Sequence, residues 1–236
     1  MNQNLNYSGD EFSALANSPN YYNWILHNYK PYLSGNITEI GAGIGTFSRL
    51  LLPYANKLSL VEPSVNLTNE LKVAFSSDER IVIYQDTLIE HFDQQSPALQ
   101  DAIVLVNVLE HIQDDGAALL ALADNLASGG ALLLFVPALP FLFSKMDENF
   151  GHYRRYTLPG LVEIVEQSGL KVEQKSYFDL LGILPWWLLN TVGGSVELNP
   201  QMVGIYDRFG IPLTRTMEKF ISPPFGKNIS LIATKP

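Results

Sequence analysis

Ile37-Thr38-Glu39-Ile40-Gly41-Ala42-Gly43-Ile44-Gly45-Thr46-Phe47-Ser48-Arg49-Leu50-Leu51-Leu52 decides the fold. A short stretch ends in an acid, a glycine-rich turn follows, and an apolar-periodic segment follows the turn. The pattern predicts a strand at 37–41, a tight loop, and a helix over about 45–55. Glycines at 41, 43 and 45 remove Cβ atoms where the backbone turns sharply and a ligand can approach. The helix N-terminus fed by the loop offers free N–H groups and a favourable dipole to polar or anionic ligand groups.

Working outward, the same alternation repeats. Strands are predicted at 57–62, 81–85, 102–108, 131–136, 171–177 and 229–234. Helices are predicted at 20–33, 65–76, 114–127 and 158–168, with Ser128-Gly129-Gly130 as the stop of the third. Residues 1–19 read as a polar arm with one short helix, so that 1–33 forms an N-terminal helical arm. Residues 137–157 read as a long loop dense in charged and aromatic side chains. Residues 179–224 read as an apolar helical insertion containing Trp186, Trp187 and several prolines. Uniformly apolar strands alternating with helices imply an α/β fold, a Rossmann-like, mainly parallel sheet with helices on both faces. No linker divides the chain, so 1–236 is expected to be a single domain.

Composition bounds the function. The chain has 236 residues, 47% of them hydrophobic, which suffices for a large core. Its net charge of −9 argues against nucleic acid as a partner. It has no cysteine, hence no disulfide, thiolate metal site or cysteine nucleophile. The polar Met1-Asn2-Gln3-Asn4 start does not read as a signal peptide, and no stretch reaches the ~20 apolar residues of a transmembrane segment. A cytoplasmic protein, monomeric or homodimeric, is the expectation.

Right-handed crossovers bring the carboxyl ends of the first four strands to one edge. Three acids fall there: Glu39, Glu62 and Asp86. An acid at the end of the second strand can accept hydrogen bonds from ribose hydroxyls. One on the third can accept from the exocyclic amine of adenine. A nicotinamide dinucleotide is disfavoured, because Gly41-x-Gly43-x-Gly45 places its third glycine one residue early and Glu39 has no use beside a pyrophosphate. Glu39 suits a cationic group such as an α-ammonium. A ligand with an amino acid end, a ribose and an adenine fits all three acids, and S-adenosylmethionine is that ligand.

Glu39-x-Gly41-x-Gly43-x-Gly45, then Glu62, Asp86 and Asn107-Val108-Leu109-Glu110-His111-Ile112-Gln113-Asp114, resembles a class I S-adenosylmethionine-dependent methyltransferase. The resemblance covers roughly residues 20–175 and the last strand. It implies a seven-stranded sheet of order 3-2-1-4-5-7-6 with strand 7 antiparallel. It implies that Glu39 and the backbone of 41–45, Ala42 included, hold the methionine end. Glu62 with Pro63 would hold the ribose, Asp86 with Thr87 the adenine, and Asn107 with Val108 the methionine and adenosine face. Gly151-His152-Tyr153-Arg154-Arg155-Tyr156 also resembles a subgroup of these enzymes, several of which belong to polysaccharide, glycolipid or natural-product pathways.

The acceptor side is read from single residues. His111 and His152 are candidate general bases, and each has a structural alternative: a packed turn residue for His111, a loop hydrogen bond for His152. Arg154 and Arg155 can clamp an anionic acceptor or pair with Asp147 and Glu148 to fix the loop. Tyr153 and Tyr156 can contact the acceptor or anchor the loop. His27 and His91 read as surface residues, and the histidine spacing indicates no metal. The acceptor is expected to be an O or N nucleophile of a small molecule, natural product or modified peptide. The alternatives are a glycolipid or polysaccharide-pathway acceptor, or a non-catalytic S-adenosylmethionine-binding protein. The insertion 179–224 is expected to act as a lid, with a dimer contact or peripheral membrane contact as alternatives.

Overall fold

A computed structural model describes residues 18–95 and 99–236. Seven strands form one sheet: β1 (Gly35–Ile40), β2 (Ala55–Val61), β3 (Ile81–Tyr84), β4 (Gln100–Val106), β5 (Leu126–Pro137), β6 (Lys171–Phe178) and β7 (Asn228–Thr234). Their spatial order is β3-β2-β1-β4-β5-β7-β6. The pairs among β1 to β5 are parallel, and β7 runs antiparallel to both β5 and β6. The Rossmann-like fold expected from the sequence is therefore present. Of the predicted arm, the part before Ser18 lies outside the described residues.

Period-two alternation sends successive side chains to opposite faces. On one face Ile40, Val61, Ile103 and Leu105 meet α4 (Leu88–Gln95), α5 (Asp115–Asn125) and α7 (Leu158–Gln167). On the other, Ile37, Leu58, Leu60 and Val104 meet α1 (Pro19–Tyr29), α2 (Ser48–Leu51) and α3 (Val65–Ala74). Tyr21, Phe135 and Phe178 stack edge to face there, with centroids 5.0 to 6.4 Å apart.

Two local expectations are corrected. Ser128-Gly129-Gly130 does not stop α5, which ends at Asn125; it lies inside β5. Gly129 takes a positive φ of 77° and its N–H donates to the Lys235 carbonyl at 2.8 Å, so the glycines form an irregular strand start beside the chain's end. His91 is not a surface residue. It is buried between Tyr84 and Phe92, with centroids at 4.6 and 5.1 Å, and its Nδ1 lies 3.6 Å from Asp86. Burial lowers its pKa, with Asp86 pulling the other way.

The segment after β6 contains α8 (Ile183–Trp186), α9 (Pro200–Ile205) and α10 (Ile211–Glu218), with wide π-type turns at Trp187–Val192 and Tyr206–Gly210. It is pinned at two aspartates. Asp179, fully buried, accepts from the Tyr206 hydroxyl and the Gly182 N–H and pairs with Lys227 at 2.9 Å. Asp207 accepts from the N–H groups of Asn20 and Tyr21 at 3.1 and 2.8 Å. Ser18, the residue before α1, makes no side-chain cap, so the insertion caps that helix from the far end of the chain.

Candidate active site

The strand register places the three acids together. Glu39 sits opposite Leu60 of β2 and Val104 of β4. Glu62 directly follows β2, and its N–H donates to the Tyr84 carbonyl of β3 at 3.0 Å. Asp86 lies two residues beyond β3, half-buried. Asn107 follows β4 with a φ of 54°, its N–H donating to the Phe135 carbonyl at 2.8 Å. Glu39, Glu62, Asp86 and Asn107 thus share the carboxyl edge of the parallel strands, where such folds bind ligands.

The glycine loop is fixed from beneath. Gly41 and Ala42 donate to the Val61 carbonyl at 2.8 and 3.2 Å, and Gly45 donates to that of Ala42 at 2.9 Å. Gly41 has a φ of 71°, and a Cβ there would sit 2.4 Å from Val108 Cγ2. The Val108 side chain therefore closes on the loop, and only glycine fits. Glu62 ties loop to strand: Oε2 accepts from Gly43 N–H at 3.0 Å and Oε1 from Ser64 N–H at 2.9 Å. Pro63 follows it, half-buried. Thr87 sits at the start of α4 in a reciprocal arrangement with Glu90, whose carboxylate accepts from the Thr87 N–H at 3.0 Å and hydroxyl at 2.8 Å.

Glu39 is 3% exposed and accepts a short hydrogen bond from the Ser48 hydroxyl. Burial pushes its pKa up to about 8, with Ser48 opposing the shift. A cationic ligand group beside this carboxyl would restore its ionised form.

A second cluster stands just beyond β4. The turn Leu109–His111 presents Glu110 and His111. The chain leaves β5 at Ala138 and returns to pair with it at Tyr156, closing residues 139–155 into one excursion. Within it, α6 (Lys145–Asn149) begins with a capping box in which Asp147 accepts from the Ser144 N–H. Asp147 is fully buried and accepts from Arg155 Nε at 2.8 Å, while His152 Nδ1 lies 2.9 Å away. Burial raises the Asp147 pKa, but His152, Arg155 and Ser144 together leave it below the usual carboxylate range. A carboxylate only accepts, so the proton of a neutral His152 belongs on Nδ1 and the lone pair on Nε2.

That lone pair faces Glu110 and His111. Nε2 lies 3.9 Å from Glu110 Oε1, and the two imidazole rings meet edge to face at 4.6 Å. Glu110 is fully buried. Burial lifts its pKa to about 8, against its own backbone N–H and Arg155. Burial, then the nearness of His152, lowers His111 to about 4, against hydrogen bonds that the ring makes to the backbone of Phe150 and Gly151.

Of the remaining predicted acceptor residues, Arg154, Arg155 and Tyr156 are engaged within the protein and the Tyr153 side chain is exposed. Arg155 is buried against Asp147, donates to the Ala138 carbonyl at 3.3 Å, and lies 4.6 Å from the Trp186 ring. Arg154 pairs with Asp115 at 2.6 Å and donates to the Gln113 carbonyl at 2.6 Å. The Tyr156 hydroxyl donates to the same Asp115 at 2.9 Å. Tyr153 is 54% exposed, its backbone N–H held by the Glu110 carbonyl at 2.8 Å. The centrality of Glu110 is not legible in the sequence, where it stands between Leu109 and His111 in a short turn. Only the return of the loop after β5 shows what faces it.

An α/β sheet of this order, with a glycine loop and acids at its switch point, defines the class I S-adenosylmethionine-dependent methyltransferase fold. The comparisons agree. A profile described as a methyltransferase domain matches residues 19–175, more than half of the chain, and the protein belongs to that family. Its class uses S-adenosylmethionine as cofactor. No curated protein matches the sequence. The fold is similar to the N-methyltransferase NodS of Bradyrhizobium japonicum WM9 in complex with S-adenosyl-L-homocysteine, at TM-score 0.63 and 14% identity over 97% of this chain and 94% of that one. It is also similar to an S-adenosylmethionine-dependent methyltransferase from Mesorhizobium loti, at TM-score 0.64 and 13% identity over 93% and 100%. A third likeness is to phosphoethanolamine N-methyltransferase 2 of Haemonchus contortus, at TM-score 0.61 and 17% identity over 92% of this chain and 53% of that one. No helix among the described residues is long and apolar enough to cross a membrane.

Proposed function

We propose that the protein is a single-domain enzyme that methylates a hydroxyl or amine of an acceptor delivered to Glu110, His111 and His152. The observation that carries this is the Asp147–His152 pair beside the cofactor edge. S-adenosylmethionine supplies a sulfonium methyl: the acceptor's lone pair forms the new bond to carbon, and the C–S electron pair leaves with sulfur. The chain's own residues position and deprotonate. Glu39 and the loop backbone hold the ammonium end, Glu62 the ribose, and Asp86 with Thr87 the adenine edge. Val108 and Asn107 close the wall towards the acceptor. Asp147 fixes the His152 tautomer, leaving Nε2 to receive the acceptor's proton. Buried Arg155 balances Asp147 and holds the excursion in place, and exposed Tyr153 is free to meet the acceptor.

A specific observation favours an acceptor with a long apolar part, as in the glycolipid reading. The insertion leaves Trp187, Leu188, Ile205, Phe209, Leu213 and Phe220 exposed, between 40% and 84%. Large exposed apolar surface marks ligand or interaction sites, and here the exposed apolar side chains concentrate in one segment of the chain. Trp186 and Thr191 donate to the Leu142 carbonyl, both at 3.2 Å, which joins that face to the excursion carrying His152.

Two measurements test the proposal. Calorimetry with S-adenosylmethionine is expected to show one site, and absence of binding at millimolar ligand refutes the cofactor assignment. Product formation is then followed across hydroxyl and amine acceptors with and without acyl chains. Turnover that falls on His152→Ala with donor affinity kept supports the acceptor site. Binding without turnover across that panel favours the non-catalytic alternative, and indifference to the acyl chain removes the lipid reading.

A further inference from the structure

Glu110, His111 and His152 offer one carboxylate oxygen and two imidazole nitrogens that all lie within 4.8 Å of one another. The residues come from two segments, the turn after β4 and the excursion after β5, so their convergence is a property of the fold. Glu110 is fully buried, and no other described residue hydrogen-bonds either of its carboxylate oxygens. Buried polar groups in folded proteins are almost always satisfied, and an exception calls for an explanation such as an ion. The nearest cation does not supply it. Arg155 directs Nε and Nη2 to Asp147 and Nη1 to the Ala138 carbonyl.

The surroundings match what a metal-binding histidine needs. Such a histidine is oriented by a second group on its other ring nitrogen, commonly a carboxylate or a backbone carbonyl. His152 has Asp147 on Nδ1, which turns Nε2 towards Glu110. The Phe150–Gly151 turn stands against the His111 ring: Gly151 takes a φ of 77°, and a Cβ built on it would lie 4.0 Å from His111 Nδ1.

We propose that Glu110, His111 and His152 form a divalent cation site. Two imidazoles and one carboxylate suit zinc or manganese, and three protein ligands leave a position open, as in catalytic rather than structural sites. This rests on the acceptor-site reading above and deepens it with one change: the ion, in place of the free Nε2 of His152, activates the acceptor. With the ion bound, the His152 lone pair is a ligand, and the open position takes the acceptor hydroxyl. That hydroxyl loses its proton to water, the O–H electron pair stays on the oxygen, and the ion holds the oxygen ready for the methyl group. The role of Asp147 is positioning, through His152.

The test begins with chelator-treated protein titrated with zinc chloride, and separately with manganese chloride, by calorimetry. One ion per chain is expected for at least one of them. His111→Ala and His152→Ala are expected to abolish that isotherm, while His27→Ala, an exposed histidine elsewhere, leaves it unchanged. Asp147→Asn is expected to weaken binding on the order of 10–100-fold, the scale seen when the group that orients a ligating histidine is lost. Cobalt(II) substitution gives an independent readout through its ligand-field spectrum, expected in the wild type and absent in His111→Ala. S-adenosylmethionine affinity, measured on each variant, reports that the fold is kept. No stoichiometric binding of either ion, or equal binding by His111→Ala with donor affinity kept, overturns the site. Full turnover by chelator-treated enzyme overturns the ion's catalytic role while leaving the methyltransferase reading intact. Loss of donor binding by the treated wild type instead strikes at that reading.

Discussion

Glu39 shows how one buried residue couples protonation to ligand binding. Its native pKa of about 8 lies above the ordinary 4.5. Between those values the native state keeps a proton that the unfolded chain has lost, so stability falls as pH rises, by up to about 1.4 kcal/mol per pH unit from this group. Glu39→Gln mimics the protonated form. It is expected to raise the melting temperature of the cofactor-free protein relative to wild type by more at pH 8 than at pH 5. The same substitution is expected to weaken donor binding, because the amide offers no charge to an ammonium group. Melting curves at the two pH values and calorimetry check both. At Glu62 the donors are the backbone N–H groups of Gly43 and Ser64. Glu62→Ala is expected to weaken donor binding by about 1–3 kcal/mol, the scale of lost hydrogen bonds to a charged group. Unchanged affinity in a folded variant would remove the ribose assignment.

Among elements, the excursion 139–155 depends on Asp147. Removing that carboxylate leaves Arg155 buried without its partner, a change that costs about 3–5 kcal/mol in comparable buried pairs. Asp147→Ala is expected to lower stability by that order in urea unfolding, and Arg155→Met by a similar order, since it leaves the buried Asp147 carboxylate without its guanidinium partner. The elements were largely legible from sequence because apolar runs, prolines and glycines mark their ends locally. β4 and β7 lie within two residues of their predicted bounds. The errors arose where tertiary contacts overrode local signals. Gly129-Gly130 look like a helix stop, yet they pair with Lys235. His91 sits in a polar-looking stretch, yet Tyr84 and Phe92 enclose it. The meeting of Glu39, Glu62 and Asp86 at one sheet edge was readable because strand ends in this fold are ordered by the chain. The meeting of Glu110, His111, Asp147 and His152 was not, because it depends on the path of a loop.

The whole molecule is closed by contacts between distant parts of the chain. Asp207 caps α1 through Asn20 and Tyr21, and α1 packs beside the glycine loop, where Tyr22 and Tyr29 meet Phe47. Asp207→Ala is expected to cost about 0.5–2 kcal/mol, the range for a lost N-terminal cap, read from urea unfolding. The exposed face of the insertion behaves differently. Phe209→Ser and Phe220→Ser remove side chains that are 64% and 84% exposed, and each is expected to change stability by no more than about 0.5 kcal/mol. A larger loss would show that these rings pack in solution.

The place of β7 has a consequence for synthesis. β5 and β6 are both made before it, and neither pairs with the other; each waits for residues 228–234. Until those residues emerge, β5 and β6 have open edges on the growing chain, and β5 is apolar and buried from Ala131 onward. The N-terminal half can assemble its parallel strands around the glycine loop while the ribosome is still at work. The acceptor half cannot, because Ala138 at the root of the excursion is held by the Lys227 carbonyl at 2.8 Å. The donor's cradle is thus ready early in the life of the chain, and the acceptor's half of the site is set only when the last strand slides home.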